Sequence, residues 1–253
     1  AFVALALVPP GEGDIAREIG HDIDPDAVFM ARRAVRADIG NKLGPALATA
    51  YDRMAVPGPY SPDAESAGRR ALRNVALDLL AATGAREAVS RAARQFDMAD
   101  NMTDRLAALS TLSLCPGPDR ERALADFYGQ FASNALVIDK WFSLQAMTPH
   151  SDTLDQVRAL TAHAAFSFGN PNRVRALIGA FAANLTQFNR ADGAGYDFLA
   201  DTLLAVDPKN PQLAARLATA FRTWRTLERG RRAKAESALQ RVQAHPNLSR
   251  DLS

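Results

Sequence analysis

The chain has 253 residues, of which 47% are hydrophobic and 23% charged, a composition that supports a buried core and excludes a disordered segment. Lysine and arginine total 30 against 28 aspartate and glutamate, and a net charge of +2 is too near neutral for a dedicated nucleic-acid binder. The single cysteine, Cys115, excludes an internal disulfide and a multi-cysteine zinc site, and it suits a reducing, cytoplasmic compartment.

The first eight residues are apolar and are stopped by Pro9 and Pro10. No basic region precedes them and no small-residue cleavage site follows, so they are not a signal peptide, and they are too few to span a bilayer. They read as part of a helix in a longer chain, and the ending Asp251-Leu252-Ser253 is equally abrupt. Further helix starts are expected near residues 12, 25, 42, 62, 86, 101, 118, 134, 152, 171, 193, 211 and 229. Asp24-Pro25, Ser61-Pro62, Asn170-Pro171 and Asn210-Pro211 each place a capping oxygen before a proline, whose fixed φ suits the first helical position. Gly84 is expected to end the helix that opens near Ser61. Leu72, Val75, Ala76, Leu79 and Leu80 share one helix face. Leu213, Leu217, Ala220, Phe221, Trp224 and Leu227 do so over four predicted turns.

Short connections between these helices predict antiparallel hairpins, and no fixed repeat length emerges. The expected architecture is all-α, an irregular superhelix (α-solenoid) of antiparallel helix pairs. Residues 1–253 read as a single domain, with the turn-rich loop from Ala55 to Ser61 as a soft boundary.

Residue types that carry chemistry are sparse. His21, His150, His163 and His245 lack a neighbouring Glu and a second His four residues away, so no His-Glu-x-x-His zinc helix exists and no metal or cofactor site is expected in the chain. Cys115 precedes Pro-Gly-Pro with no adjacent base and reads as a buried or half-buried small residue. Asp192-Gly193-Ala194-Gly195 lacks the strand before and the lysine after that a phosphate loop needs, and reads as a flexible helix start. The basic run from Arg222 to Lys234 is interrupted by Glu228 and Glu236 and reads as a solvated face rather than a phosphate-binding stripe. The segment from Asn134 to Phe142 reads as a helix buried all round that carries one ion pair, Asp139-Lys140. Arg173 and Arg175 occupy a first helical turn, where the helix dipole disfavours cations. They require a partner: a carboxylate of the domain, a ligand or a neighbouring domain. The first is the expectation.

Several strings resemble the C-terminal domain of the bacterial aminopeptidase N family: Asn101-Met102-Thr103-Asp104, Asn134 through Phe142, Asn170-Pro171-Asn172-Arg173, Asp192 through Tyr196, Arg70 through Asn74, and Asn210-Pro211-Gln212. The resemblance runs in order along essentially the whole chain. It implies the non-catalytic C-terminal domain of a zinc aminopeptidase, inactive alone, that covers the active site and restricts access to small peptides. The implied partners are the catalytic domain of the same polypeptide, which holds the zinc, and small peptides in an enclosed cavity; neither nucleic acid nor membrane is implied. It further assigns Gln212 and Arg216 to the lining of the substrate's route, with Arg216 able to meet a peptide carboxylate. Four residues apart, the two share a helix face, with Leu213 and Leu217 on the adjacent buried one. Two other readings remain. One is a free-standing α-solenoid adaptor for a protein or peptide. The other is an RNA binder acting through Arg222 to Lys234.

Overall fold

The computed structural model describes residues 1–253 and is all-α, with one isolated parallel bridge between Ile23 and Leu227. In chain order the first helices are α1 (Phe2–Ala6), α2 (Glu12–Ile19), α3 (Pro25–Lys42), α4 (Gly44–Arg53), α5 (Ala64–Ala81), α6 (Arg86–Met98), α7 (Met102–Ser113) and α8 (Pro118–Phe131). Then follow α9 (Ala135–Ala146), α10 (Thr153–Thr161), α11 (Pro171–Val174), α12 (Ala180–Ala183), α13 (Leu185–Phe188), α14 (Ala194–Val206), α15 (Pro211–Ala218) and α16 (Arg229–Gln243). Each start expected from the sequence falls within two residues of an observed one.

The chain forms two compact units: residues 1–11 with 30–130, and residues 12–29 with 131–253. In the first, α4 packs on α5 and α6 on α7. Leu77, Leu79, Leu109, Leu112 and Phe127 are its largest fully buried side chains. The loop from Ala55 to Ser61 lies inside this unit, between α4 and α5. In the second unit Ile138, Phe142, Leu177, Phe181, Tyr196 and Leu199 form the core. Edge-to-face aromatic pairs join its helices, Phe188 lying 5.3 Å from Tyr196 and 5.5 Å from Phe221, a geometry that suits the ring quadrupoles.

The caps explain most boundaries. Asp24 Oδ1 accepts from the Asp26 amide at 2.9 Å, Asn170 from Asn172 at 3.0 Å, and Asn210 from Leu213 at 3.1 Å. At α5 the capping residue is Asp63, which accepts from the Ser66 amide at 2.9 Å, rather than Ser61 before Pro62; the helix opens two residues later than the proline suggests. Gly84 takes φ +75° just beyond α5, as its assignment to a helix end requires.

Three expectations fail for identifiable reasons. The helix expected from Pro211 through Leu227 tightens after Ala218 into a 3-10 segment, Thr219–Thr226, and Leu227 leaves it to bridge Ile23. The Asn134-to-Phe142 segment is not buried all round, since Leu136 is 72% exposed, and Asp139 pairs with Arg173 at 2.7 Å rather than with Lys140. The basic run is not a uniformly solvated face. Arg231 is 5% exposed and donates to the Asn189 carbonyl, Asp24, Asp26 and Glu228, all within the second unit.

Glu228 caps α16 through the Arg231 amide at 2.9 Å. Burial pushes its carboxyl upward, but the amides of Arg231 and Gly230 and the Arg231 charge outweigh this and hold it below its ordinary range. A carboxyl whose folded pKa is depressed contributes stability above its unfolded pKa and loses it as pH falls through the folded one. Glu228→Gln is therefore expected to show less acid destabilisation than the parent below about pH 4.3, the unperturbed glutamate pKa. Melting temperatures across an acid pH series check this, and parallel curves for the two proteins would refute it.

Candidate functional site

Helix α15 is short and amphipathic. Asn210 caps it, Pro211 opens it, and Leu213 and Leu217 are buried beneath it at 4% and 5% exposure. Gln212 and Arg216 lie on its exposed side. Neither side chain has a hydrogen-bonding or ionic partner within the chain. The structure thus leaves an unpaired guanidinium and an amide four residues apart, free to bond something outside this chain.

No group of three or more His, Cys, Asp or Glu side chains is placed to hold a metal ion. His163 serves packing: its ring lies 5.3 Å from Trp141 and 5.9 Å from Phe142, and its Nδ1 accepts from the Ala165 amide at 3.1 Å. Cys115 is half-buried, and burial pushes its thiol up, which disfavours the nucleophilic thiolate. No helix is long and apolar enough to cross a membrane.

A cavity of about 410 Å³ lies in the first unit, and sequence reasoning did not single it out. Helix α5 contributes Arg70 and Arg73, α6 contributes Arg91, Arg94 and Gln95, and Asp104 comes from α7. Arg91 bonds Asp52 at 3.0 Å and Arg94 bonds Glu87 at 3.2 Å. Arg73 lies 4.5 Å over the Tyr51 ring and donates to its hydroxyl at 3.1 Å. A polar network fixes the cavity floor. Asn74 donates to Asp104 at 3.0 Å, which turns its carbonyl oxygen toward Gln95 Nε2 at 2.8 Å. That nitrogen also donates to the Asp104 backbone carbonyl at 3.0 Å, so Gln95 Oε1 is left buried without a donor. The sequence signal was present but ambiguous: Arg70/Arg73 and Arg91/Arg94 are i,i+3 pairs, a spacing that equally describes solvated helix faces.

Across its whole length, residues 1–253, the chain matches a family model described as a domain of unknown function (DUF3458_C) with ARM repeats. It is 41% identical to aminopeptidase N of Caulobacter vibrioides and 36% identical to aminopeptidase N of Escherichia coli, over 100% of this chain and 29% of each relative. The chain thus spans less than a third of the length of these relatives. A crystal structure of Legionella pneumophila aminopeptidase A in complex with aspartic acid superposes with a TM-score of 0.90 at 27% identity, covering 98% of this chain and 30% of that one. The all-α solenoid expected from helix periodicity is the ARM-repeat fold of this family, to which the chain belongs, and over its whole length the chain is similar to a part of bacterial aminopeptidase N.

Proposed function

We propose that this chain is the non-catalytic part of a cytoplasmic zinc aminopeptidase, covering the active site held by the catalytic portion of the same polypeptide and admitting small peptides while excluding folded proteins. In this reading the zinc belongs to that other portion, and Gln212 and Arg216 line the substrate's route. The observation that carries it is the exposed pair Gln212 and Arg216 on α15, four residues apart and without partners within the chain. A guanidinium without a carboxylate of its own suits the carboxylate end of a peptide in transit. The match to 29% of two aminopeptidase N relatives supports a larger remaining portion of the same polypeptide beside this chain.

Arg216→Ala in the full polypeptide is expected to raise KM for tripeptides about tenfold, the effect of one charge-assisted contact, with kcat and melting temperature unchanged. A KM identical to the parent's would remove Arg216 from the substrate's path.

A further inference from the structure

The arginine-lined cavity plays no part in the reading above, and its chemistry points to a separate ligand. Buried charges are ordinarily paired, because desolvation of an unpaired ion is costly. Arg70 is 3% exposed, yet its polar partner is the Ser61 carbonyl, and its guanidinium rests 4.7 Å over the Tyr60 ring. Arg73 likewise has the Tyr51 hydroxyl and ring in place of a carboxylate. Two guanidiniums on one helix thus face a cavity without anions of their own.

The start of α7 supplies the opposite charge to the same space. Asp104 is 7% exposed and bonded through its carboxylate to the side-chain amides of Asn74 and Asn101, with no cation on it. Asp100, exposed, bonds only the Asn101 amide. Gln95 Oε1 adds an acceptor that lacks a donor. Four guanidiniums and three carboxylates line the cavity, and Arg94 is already paired with Glu87 outside the lining, so a multiply charged anion such as phosphate is poorly matched. A molecule carrying one carboxylate and one ammonium matches both sets. The volume of about 410 Å³ is at the small end of the range for small-molecule sites, and Tyr51, Val56, Tyr60 and Met98 give an apolar wall for a side chain.

We propose that this cavity binds a free α-amino acid or dipeptide, its carboxylate held by Arg70 and Arg73 and its ammonium by the Asp100/Asp104 side. The site is independent of the route assigned to Gln212 and Arg216.

The test uses crystals of the full polypeptide soaked at equal concentration in L-leucine, leucinamide, 4-methylpentanoate or inorganic phosphate, with occupancy read in this cavity. L-leucine is expected to occupy it. Leucinamide, lacking the carboxylate, and 4-methylpentanoate, lacking the amine, are each expected to bind at least about tenfold more weakly, as the loss of a charged contact predicts. By titration calorimetry Arg73→Gln removes one L-leucine site per chain. Because Arg73 also packs on Tyr51, the exposed Asp100→Asn serves as the second variant. It is expected to weaken L-leucine severalfold and leave 4-methylpentanoate unchanged. Arg216→Ala leaves the cavity's occupancy intact, which separates this site from the peptide route. Equal occupancy by leucinamide, displacement by phosphate, L-leucine binding unaltered in both variants, or an empty cavity would each overturn the proposal.

Discussion

Gly195→Ala is expected to lower the melting temperature by about 10 °C, from a loss of about 3 kcal/mol or more. A Cβ built at Gly195 would lie 2.2 Å from the Phe188 carbonyl oxygen and 2.8 Å from that of Gln187. Both obstacles are backbone, so no rotamer change relieves the contact, and α14 must move away from α13. Those two helices carry the Phe188–Tyr196 ring pair and the buried hydrogen bond from the Tyr196 hydroxyl to Asn189 at 3.0 Å. Separation therefore loosens the core of the second unit as well as relieving the clash. Gly129→Ala is the control. It sits on the exposed side of α8 with nothing within 4 Å of its would-be Cβ, so alanine there is expected to be neutral or to stabilise by up to about 1 kcal/mol. Thermal unfolding of both variants decides it, and a Gly195→Ala protein melting with the parent would show that α13 and α14 are not held at this distance in solution.

The glycines at this helix start show what a sequence can and cannot reveal. Asp192-Gly193-Ala194-Gly195 is legible as a helix opening, because Asp192 accepts from the Ala194 amide at 3.0 Å and Gly193 takes φ +83°. That Gly195 is needed for close approach depends on α13, a four-residue helix without periodicity of its own. It is separated from α12 by Asn184, whose amide is committed to the Ala146 and Thr148 carbonyls at 3.0 and 2.7 Å. The local sequence Ala-Phe-Ala-Ala-Asn-Leu-Thr-Gln-Phe carries a capping asparagine, whose Oδ1 accepts from the Gln187 amide at 3.2 Å, and the long-range bonds of its amide fix the break there. Local signals therefore placed the long helices, since caps and periodicity act within a few residues. They missed the features set by partners far away in the chain: the 3-10 segment pinned by Ile23, the burial of Arg231, and the cavity lined by residues from Tyr51 to Asp104.

The exposed residues follow a parallel logic. Gln212 and Arg216 could be placed on the outer face of α15 by spacing from Leu213 and Leu217, and the structure places them there. Neither side chain meets a hydrogen-bonding or ionic partner within the chain, so neither periodicity nor the fold supplies one. The cavity is the reverse case. Its walls are complete within the first unit, while its occupant must be inferred from charge left unmatched.

Arg173 shows how unmatched charge behaves when the chain does supply a partner. Its guanidinium, 9% exposed, bonds Asp139 at 2.7 Å, lies 5.2 Å over the Phe142 ring and reaches the Ala135 carbonyl at 3.4 Å. The arginine disfavoured by its position in a first helical turn thus finds its carboxylate inside the domain, on α9. Removing that carboxylate by Asp139→Ala strands a buried cation whose Nε already lacks an acceptor, and the expected loss is about 3 kcal/mol. Arg173→Met should cost less, about 2 kcal/mol, because Asp139 is 21% exposed and water can reach the oxygens it leaves. The double replacement Asp139→Leu with Arg173→Met removes both charges and fills the space with apolar side chains. It is expected to recover most of the stability lost in either single variant, since the pair's Coulombic attraction largely offsets its own desolvation. Urea midpoints for the four proteins, with unchanged slopes, give the coupling. If the double variant loses the sum of the two single losses, the pair does not act as a unit, and the ion pair would contribute to stability through its separate contacts alone.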